Sequence, residues 1–215
     1  TTSCVVANRG KKSSTTGQLN SCASSPSKKL RRLTELQINK TLEFVFGEAL
    51  GNNVIELNDS IPTVGLSNNP KSLKLDMSNF PKVLDQIEAL SDAVLNNIND
   101  SELSSCIENL NQSCFSSVIA RYGESLWRRP LTSQEISNIW AGPASINDNR
   151  FSNQDKIKLG MTALLMSVNF WYRTELGQNP AIASTMTPFE IASFLSYSLW
   201  DSPPDSELIS LAKSG

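Results

Sequence analysis

Thr187-Pro188-Phe189-Glu190-Ile191-Ala192-Ser193-Phe194-Leu195-Ser196-Tyr197-Ser198-Leu199-Trp200 opens with the clearest helix-start signal in the chain. A threonine side chain can accept from the free amides of a first turn, and a proline placed there has no amide to leave unsatisfied. A glutamate three residues after the threonine can reach back to the cap's own N–H. The stretch predicts a helix from Thr187 to about Trp200, ended before Pro203 and Pro204. The same signal recurs upstream. Thr34 with Gln37 opens a helix carrying Leu36, Leu42, Phe44, Val45 and Phe46, closed by Gly47 or Gly51. Thr132 with Glu135 opens a short helix expected to end at Gly142-Pro143.

Apolar spacing supplies the remaining helices. From about Pro81, residues Val83, Leu84, Ile87, Leu90, Val94 and Ile98 follow the 3.6-residue period. A helix beginning near Cys114 carries Val118, Ile119, Tyr122 and Leu126 on one face. It is expected to stop at Arg129, because Pro130 disfavours helix at the residue before it. Asp155 to Tyr172 is the most apolar helix, and Glu207 to Ala212 forms a last amphipathic turn. Residues 51–79 show no sustained period and read as a long loop, with a short extended piece at Val54–Leu57. Nowhere is there the strict alternation of a sheet protein. The expected fold is all-α: a multi-helix orthogonal bundle with a long irregular N-terminal arm and loop, stapled by disulfides. Residues 1–29 form the arm, 30–100 a first helical module and 101–215 a second, unless the two modules run together as one domain.

Composition narrows the functional classes. The 215 residues carry 19 basic and 21 acidic side chains, a net charge of −2, so there is no basic excess to bind phosphate backbones. The cluster Lys28, Lys29, Arg31 and Arg32 reads as a solvated flank ahead of a helix. There is no histidine. That excludes Ser-His-Asp and Cys-His catalysis, an H-E-x-x-H zinc site and histidine-ligated haem within these residues. The cysteines lack C-x-x-C spacing, which excludes a zinc ribbon, a thioredoxin motif and a c-type haem attachment here. No apolar run approaches the roughly 18 residues of a membrane span. Thr1 reads as a mature or trimmed N-terminus.

Cys4 and Cys22 bracket a polar loop, and Cys106 and Cys114 bracket Ile-Glu-Asn-Leu-Asn-Gln-Ser. Such surroundings are not those of a buried core thiol. Two local disulfides, Cys4–Cys22 and Cys106–Cys114, are the simplest connectivity, and they imply an oxidising, extracytoplasmic compartment. The alternatives are a lipid anchor at Cys4, since Thr-Thr-Ser-Cys is tolerable as the end of a lipoprotein signal, and reduced structural thiols in a cytosolic protein.

Several segments together resemble one family. Leu30–Gly47 (LRRLTELQINKTLEFVFG) resembles the opening signature of large exported planctomycete and myxobacterial proteins, composites of domains of unknown function often linked to cytochrome c modules. Cys106 and Cys114 with Arg121–Thr132 (RYGESLWRRPLT) are similar to that family's second module. Leu159–Gly177 with Phe189–Leu208 (FEIASFLSYSLWDSPPDSEL) are similar to the start of its third. The resemblance covers residues 30–215. Family members continue into a C-x-x-C-H segment that is absent here, so this chain resembles their N-terminal half. The resemblance implies a protein partner, or the chain's own C-terminal half, with haem c carried there and no cofactor in this chain.

No residue here is assigned a catalytic role, and none a metal. Arg128 and Arg129 are the candidates for holding an anion such as a propionate or carboxylate, with helix C-terminal chemistry as the alternative. Asp201, Asp205 and Glu207 are the candidate carboxylate site, with helix ending and helix starting as the alternative. Tyr172-Arg173-Thr174-Glu175 offers an ion pair and a phenol but reads as a helix end. Phe170, Trp171, Phe194, Tyr197 and Trp200 read as core. Glycosylation sequons stand at Asn39, Asn58, Asn99 and Asn111. The leading functional expectation is a non-catalytic helical module of an exported assembly. The others are part of a periplasmic oxidoreductase or hydrolase to which Asp201 or Glu190 contributes, and a polymer- or glycan-binding surface protein.

Overall fold

The structure is a computed structural model and describes residues 29–57, 59, 73, 77–179 and 185–215. Cys4 and Cys22, with the pairing or lipid anchor expected of them, lie outside the described residues, as do Asn58 and most of the loop 58–76. The described residues form nine helices: α1 (Glu35–Phe46), α2 (Phe80–Asn97), α3 (Ser101–Glu108), α4 (Gln112–Trp127), α5 (Ser133–Ser145), α6 (Asn153–Met166), α7 (Val168–Trp171), α8 (Pro188–Leu199) and α9 (Ser206–Ser214). The all-α expectation holds. Capping boxes start α1 at Thr34, α5 at Thr132, α6 at Ser152 and α8 at Thr187, each closed by the residue three positions later. These starts are local chemistry, which is why they are legible without a fold.

The core forms where α6 lies against α2, α4 and α5. α2 contributes Val83, Ile87, Leu90 and Val94, α4 contributes Phe115, Val118, Ile119 and Leu126, and α6 contributes Ile157, Met161, Leu164 and Leu165, all at most 3% exposed. Ile38 and Leu42 of α1 join the same contiguous cluster, so residues on both sides of position 100 share one core. Gly160 sets the distance between α6 and α4. A β-carbon there would stand 2.6 Å from Phe115 Cζ.

Four features depart from expectation. First, the span from Asp155 to Tyr172 is not one helix. Ser167 is extended (φ −69°, ψ 142°) and its hydroxyl caps α7. The break turns Phe170 and Trp171 into the core and leaves Val168 60% exposed. Second, Tyr172–Glu175 is not a helix end but a strand, β2, paired antiparallel with β1 (Lys29–Arg32), with Arg31 opposite Arg173. Four residues are too few to show alternation, and the pairing partner lies 140 residues away. Arg32 is therefore buried at 4% exposure rather than solvated.

Third, α3 falls where only a polar segment was read. Asp100 caps it by accepting from the amides of Glu102 and Leu103. α3 packs on α4 and α6 and buries Cys106 to 1% exposure, contrary to the expectation that it is no core thiol. Cys106 and Cys114 form the disulfide, with Cα atoms 5.6 Å apart. Fourth, α5 continues through Gly142-Pro143 to Ser145 and buries Pro143.

Candidate functional site

Three of the expected sites can be followed side chain by side chain. Arg128 is the C-cap of α4 and sits in the left-handed region at φ 59°. It is 3% exposed, and its guanidinium donates to the carbonyls of Leu126 (2.9 Å), Phe170 (3.2 Å), Tyr172 (3.0 Å) and Asn169. It thus closes the end of α4 and fastens it to the α7–β2 corner. These four bonds are the helix C-terminal chemistry that the sequence offered as the alternative for Arg128. Arg129 instead makes a two-pronged pair with Glu135 (3.0 and 2.6 Å) and stacks 5.4 Å from the Trp127 ring. This pair, with the Thr132 amide, holds the Glu135 carboxyl down at about 2 although partial burial opposes it.

A pocket of about 330 Å³ opens beside these groups, bordered by Arg128, Arg129, Arg173, Tyr172, Phe189 and Glu190. Its charges are satisfied internally. Arg173 donates to Glu175 (3.1 Å) and to the Phe194 carbonyl (3.2 Å), and Glu175 also pairs with Arg31 (2.7 Å). The ribbon's two facing arginines are thereby bridged by one carboxylate. Burial lowers the Arg173 pKa, as do its neighbours Arg31 and Arg128, while Glu175 opposes them. Glu190 is 8% exposed and accepts from the amides of Leu176 (2.8 Å), Gly177 (3.0 Å) and Thr187 (2.8 Å). Burial alone would raise its pKa, but these amides and the Thr174 side chain hold it below the usual glutamate range. It stays ionised near neutrality and ties the β2 exit to the start of α8, with no proton to give an incoming substrate.

The structure spreads the three candidate carboxylates over separate tasks. Asp201 (φ 53°) accepts from Gln37 Nε2 at 2.8 Å and ties the α8 exit to α1. Asp205 caps α9 by accepting from the Leu208 amide at 2.8 Å. Glu207 lies in the first turn of α9, where a negative charge faces the positive end of the helix dipole. Among the described residues no group of three or more His, Cys, Asp or Glu side chains is arranged to hold a metal ion. Of the sequons, Asn39 has its amide committed at both ends to Ile55, and Asn111 caps α4.

The aromatic stripe divides. Phe170, Trp171 and Tyr197 are buried, whereas Phe194 is 42% and Trp200 63% exposed, so two of the five expected core aromatics face outward. The reason lies in how α8 is mounted. Its buried stripe is Glu190, Ala192, Ser193, Ser196 and Tyr197, mostly small or polar side chains. Its outward stripe is Ile191, Phe194, Leu195 and Leu199, each at least 40% exposed. Small inward residues let α8 lie close to the ribbon and α1, and the bulky apolar ones are left facing solvent. Leu195, Leu199 and Trp200 then border a groove of about 520 Å³ together with Phe44 of α1 and Leu208 and Leu211 of α9. Sequence reasoning missed this face. The available signal was the run Ala192, Ser193, Ser196, a stripe of small residues on a helix that is otherwise apolar all round.

Residues 186–215, which span α8 and α9, match the family described as PSD4, a protein of unknown function (DUF1592). The match covers 30 of 215 residues, so this C-terminal segment is similar to an uncharacterised domain. No curated protein and no solved structure matches the chain.

Proposed function

We propose that this chain is a non-catalytic helical module of an extracytoplasmic assembly, docked through the outward apolar face of α8, Trp200 and α9. The observation carrying the reading is the inverted mounting of α8, which leaves Leu199 65% and Trp200 63% exposed around a groove that Leu211 of α9, 60% exposed, also borders. Large apolar side chains clustered on one face, rather than scattered singly, mark an interaction surface. An amphipathic helix laying its apolar face into a hydrophobic groove is a recurring mode of recognition. The Cys106–Cys114 pair supports the compartment. Support for a non-catalytic role comes from the arginines and carboxylates, which are spent on caps, carbonyls and one another. The likeness of Leu30–Gly47 and Arg121–Thr132 to exported planctomycete and myxobacterial proteins supports a partner subunit bearing haem c.

The test is the native complex, as purified from its source. The expected result is a second chain in the intact mass together with a Soret band, both lost on Leu199→Ser with Leu211→Ser. The double variant should keep the parent's thermal midpoint, because exposed side chains away from the core contribute little to stability. A colourless monomer that turns over a substrate unaided would overturn the reading.

A further inference from the structure

The rim of the α8–α9 groove carries a sign as well as a shape. Of the side chains bordering it among the described residues, the charged ones are Asp205 and Glu207, both acidic. Asp201 stands next to Trp200 at the same end, exposed and with its carboxylate toward Gln37. Two lysines of the flanking helices α1 and α9 stand outside the lining side chains. Lys40 donates to the Trp200 carbonyl at 3.1 Å, and Lys213 pairs with Glu124 at 2.6 Å.

An apolar floor under a one-sided acidic rim selects its occupant by electrostatic complementarity. A second copy docked groove to groove would bring acid against acid, and like charges across an interface are disfavoured. An anionic lipid surface meets the same repulsion. Resting on the docking reading above, we infer that the groove takes an amphipathic helix from a partner chain, with an apolar ridge flanked by lysine or arginine. The ridge contacts Leu195, Leu199, Trp200 and Leu211, and the basic flank lies against Asp205 and Glu207.

The chain carries its own probe. Of the four tryptophans, Trp127 and Trp171 are at most 7% exposed and Trp140 is partly buried against Phe115, whereas Trp200 is 63% exposed, so burial of Trp200 shifts the emission to the blue. The 215-residue protein is titrated with two tryptophan-free helical peptides of about four turns. They share a leucine ridge and differ in flanks, lysine in one and glutamate in the other. The lysine peptide is expected to bind about tenfold more tightly at low salt, with the difference shrinking as salt screens the rim. Asp205→Asn, which keeps the cap oxygen, combined with Glu207→Gln should abolish the preference. Leu199→Ser should abolish binding of both peptides.

Equal binding of the two peptides would overturn the charged-partner inference while leaving the docking reading standing. Failure of both peptides to move the Trp200 emission would overturn both. Self-association reversed by Leu199→Ser would assign the groove to a second copy. A blue shift with anionic vesicles and not with peptide would assign it to a membrane. Either result refutes the inference.

Discussion

Replacing Arg128 with alanine should cost more stability than any surface change in the molecule. The side chain is 3% exposed and donates to four carbonyls, those of Leu126, Asn169, Phe170 and Tyr172. A hydrogen bond from a charged donor is worth about 1.5–3 kcal/mol, and bonds sharing one guanidinium do not add in full. Allowing for that, Arg128→Ala is expected to lose about 3–5 kcal/mol. The backbone supplies an internal control. At φ 59° a side chain carries a left-handed penalty that glycine does not, so Arg128→Gly should be about 1 kcal/mol less damaging than the alanine variant despite removing more atoms. Arg128→Lys keeps the charge but cannot span four carbonyls, and should fall between alanine and the parent. The assay is urea unfolding at constant slope, comparing midpoints. If Arg128→Ala lost less than about 1 kcal/mol, or if glycine proved worse than alanine, the carbonyl-clamp account would be wrong.

The remaining expectations concern acid stability, packing and the disulfide. The folded-state pKa of Glu135 is pulled down to about 2 from its ordinary 4.5, so its contribution is complete above 4.5 and is lost as pH falls toward 2. Because the two side chains are still 32% and 27% exposed, solvent screening holds that contribution to about 1 kcal/mol, and Glu135→Gln should flatten the stability–pH curve in this window while leaving its slope near neutrality unchanged. Gly160→Ala forces a β-carbon to 2.6 Å from Phe115 Cζ in a packed core and should lower the unfolding free energy by about 1–3 kcal/mol. Gly123→Ala meets the flexible Leu131 methyls at the same 2.6 Å, so its cost should be the smaller of the two in parallel denaturation curves. Reduction should raise the intact mass by two hydrogens for Cys106–Cys114, or by four if Cys4 and Cys22 are also paired, and breaking the Cys106–Cys114 loop should cost about 2–3 kcal/mol.

The helix starts were legible because each is written within four residues: Thr34 with Gln37, Thr132 with Glu135, Thr187 with Glu190. The inward faces of α2 and α4 were legible because their buried residues repeat at helical spacing over several turns. α3 escaped notice because eight residues with two buried positions show no period. The candidate arginine site was visible as residue types only. Nothing in Trp127-Arg128-Arg129-Pro130 says that Arg128 turns inward to four carbonyls while Arg129 turns to Glu135.

By itself, then, the sequence pointed to a mostly helical chain, to the places where most of its helices begin and to Cys106–Cys114 as one of the two pairs of the simplest connectivity, since all of these follow from chemistry within a few turns of backbone. Only the tertiary structure decided that Ser167 breaks the most apolar helix, that β1 finds β2 from 140 residues away, and that α8 is mounted with its small residues inward. Each of those depends on which distant surface a segment meets. A helix that is apolar on both faces cannot announce which face will be buried. Packing chose the small face of α8, and the large one, with Trp200 beside it, became the surface through which this protein is proposed to act.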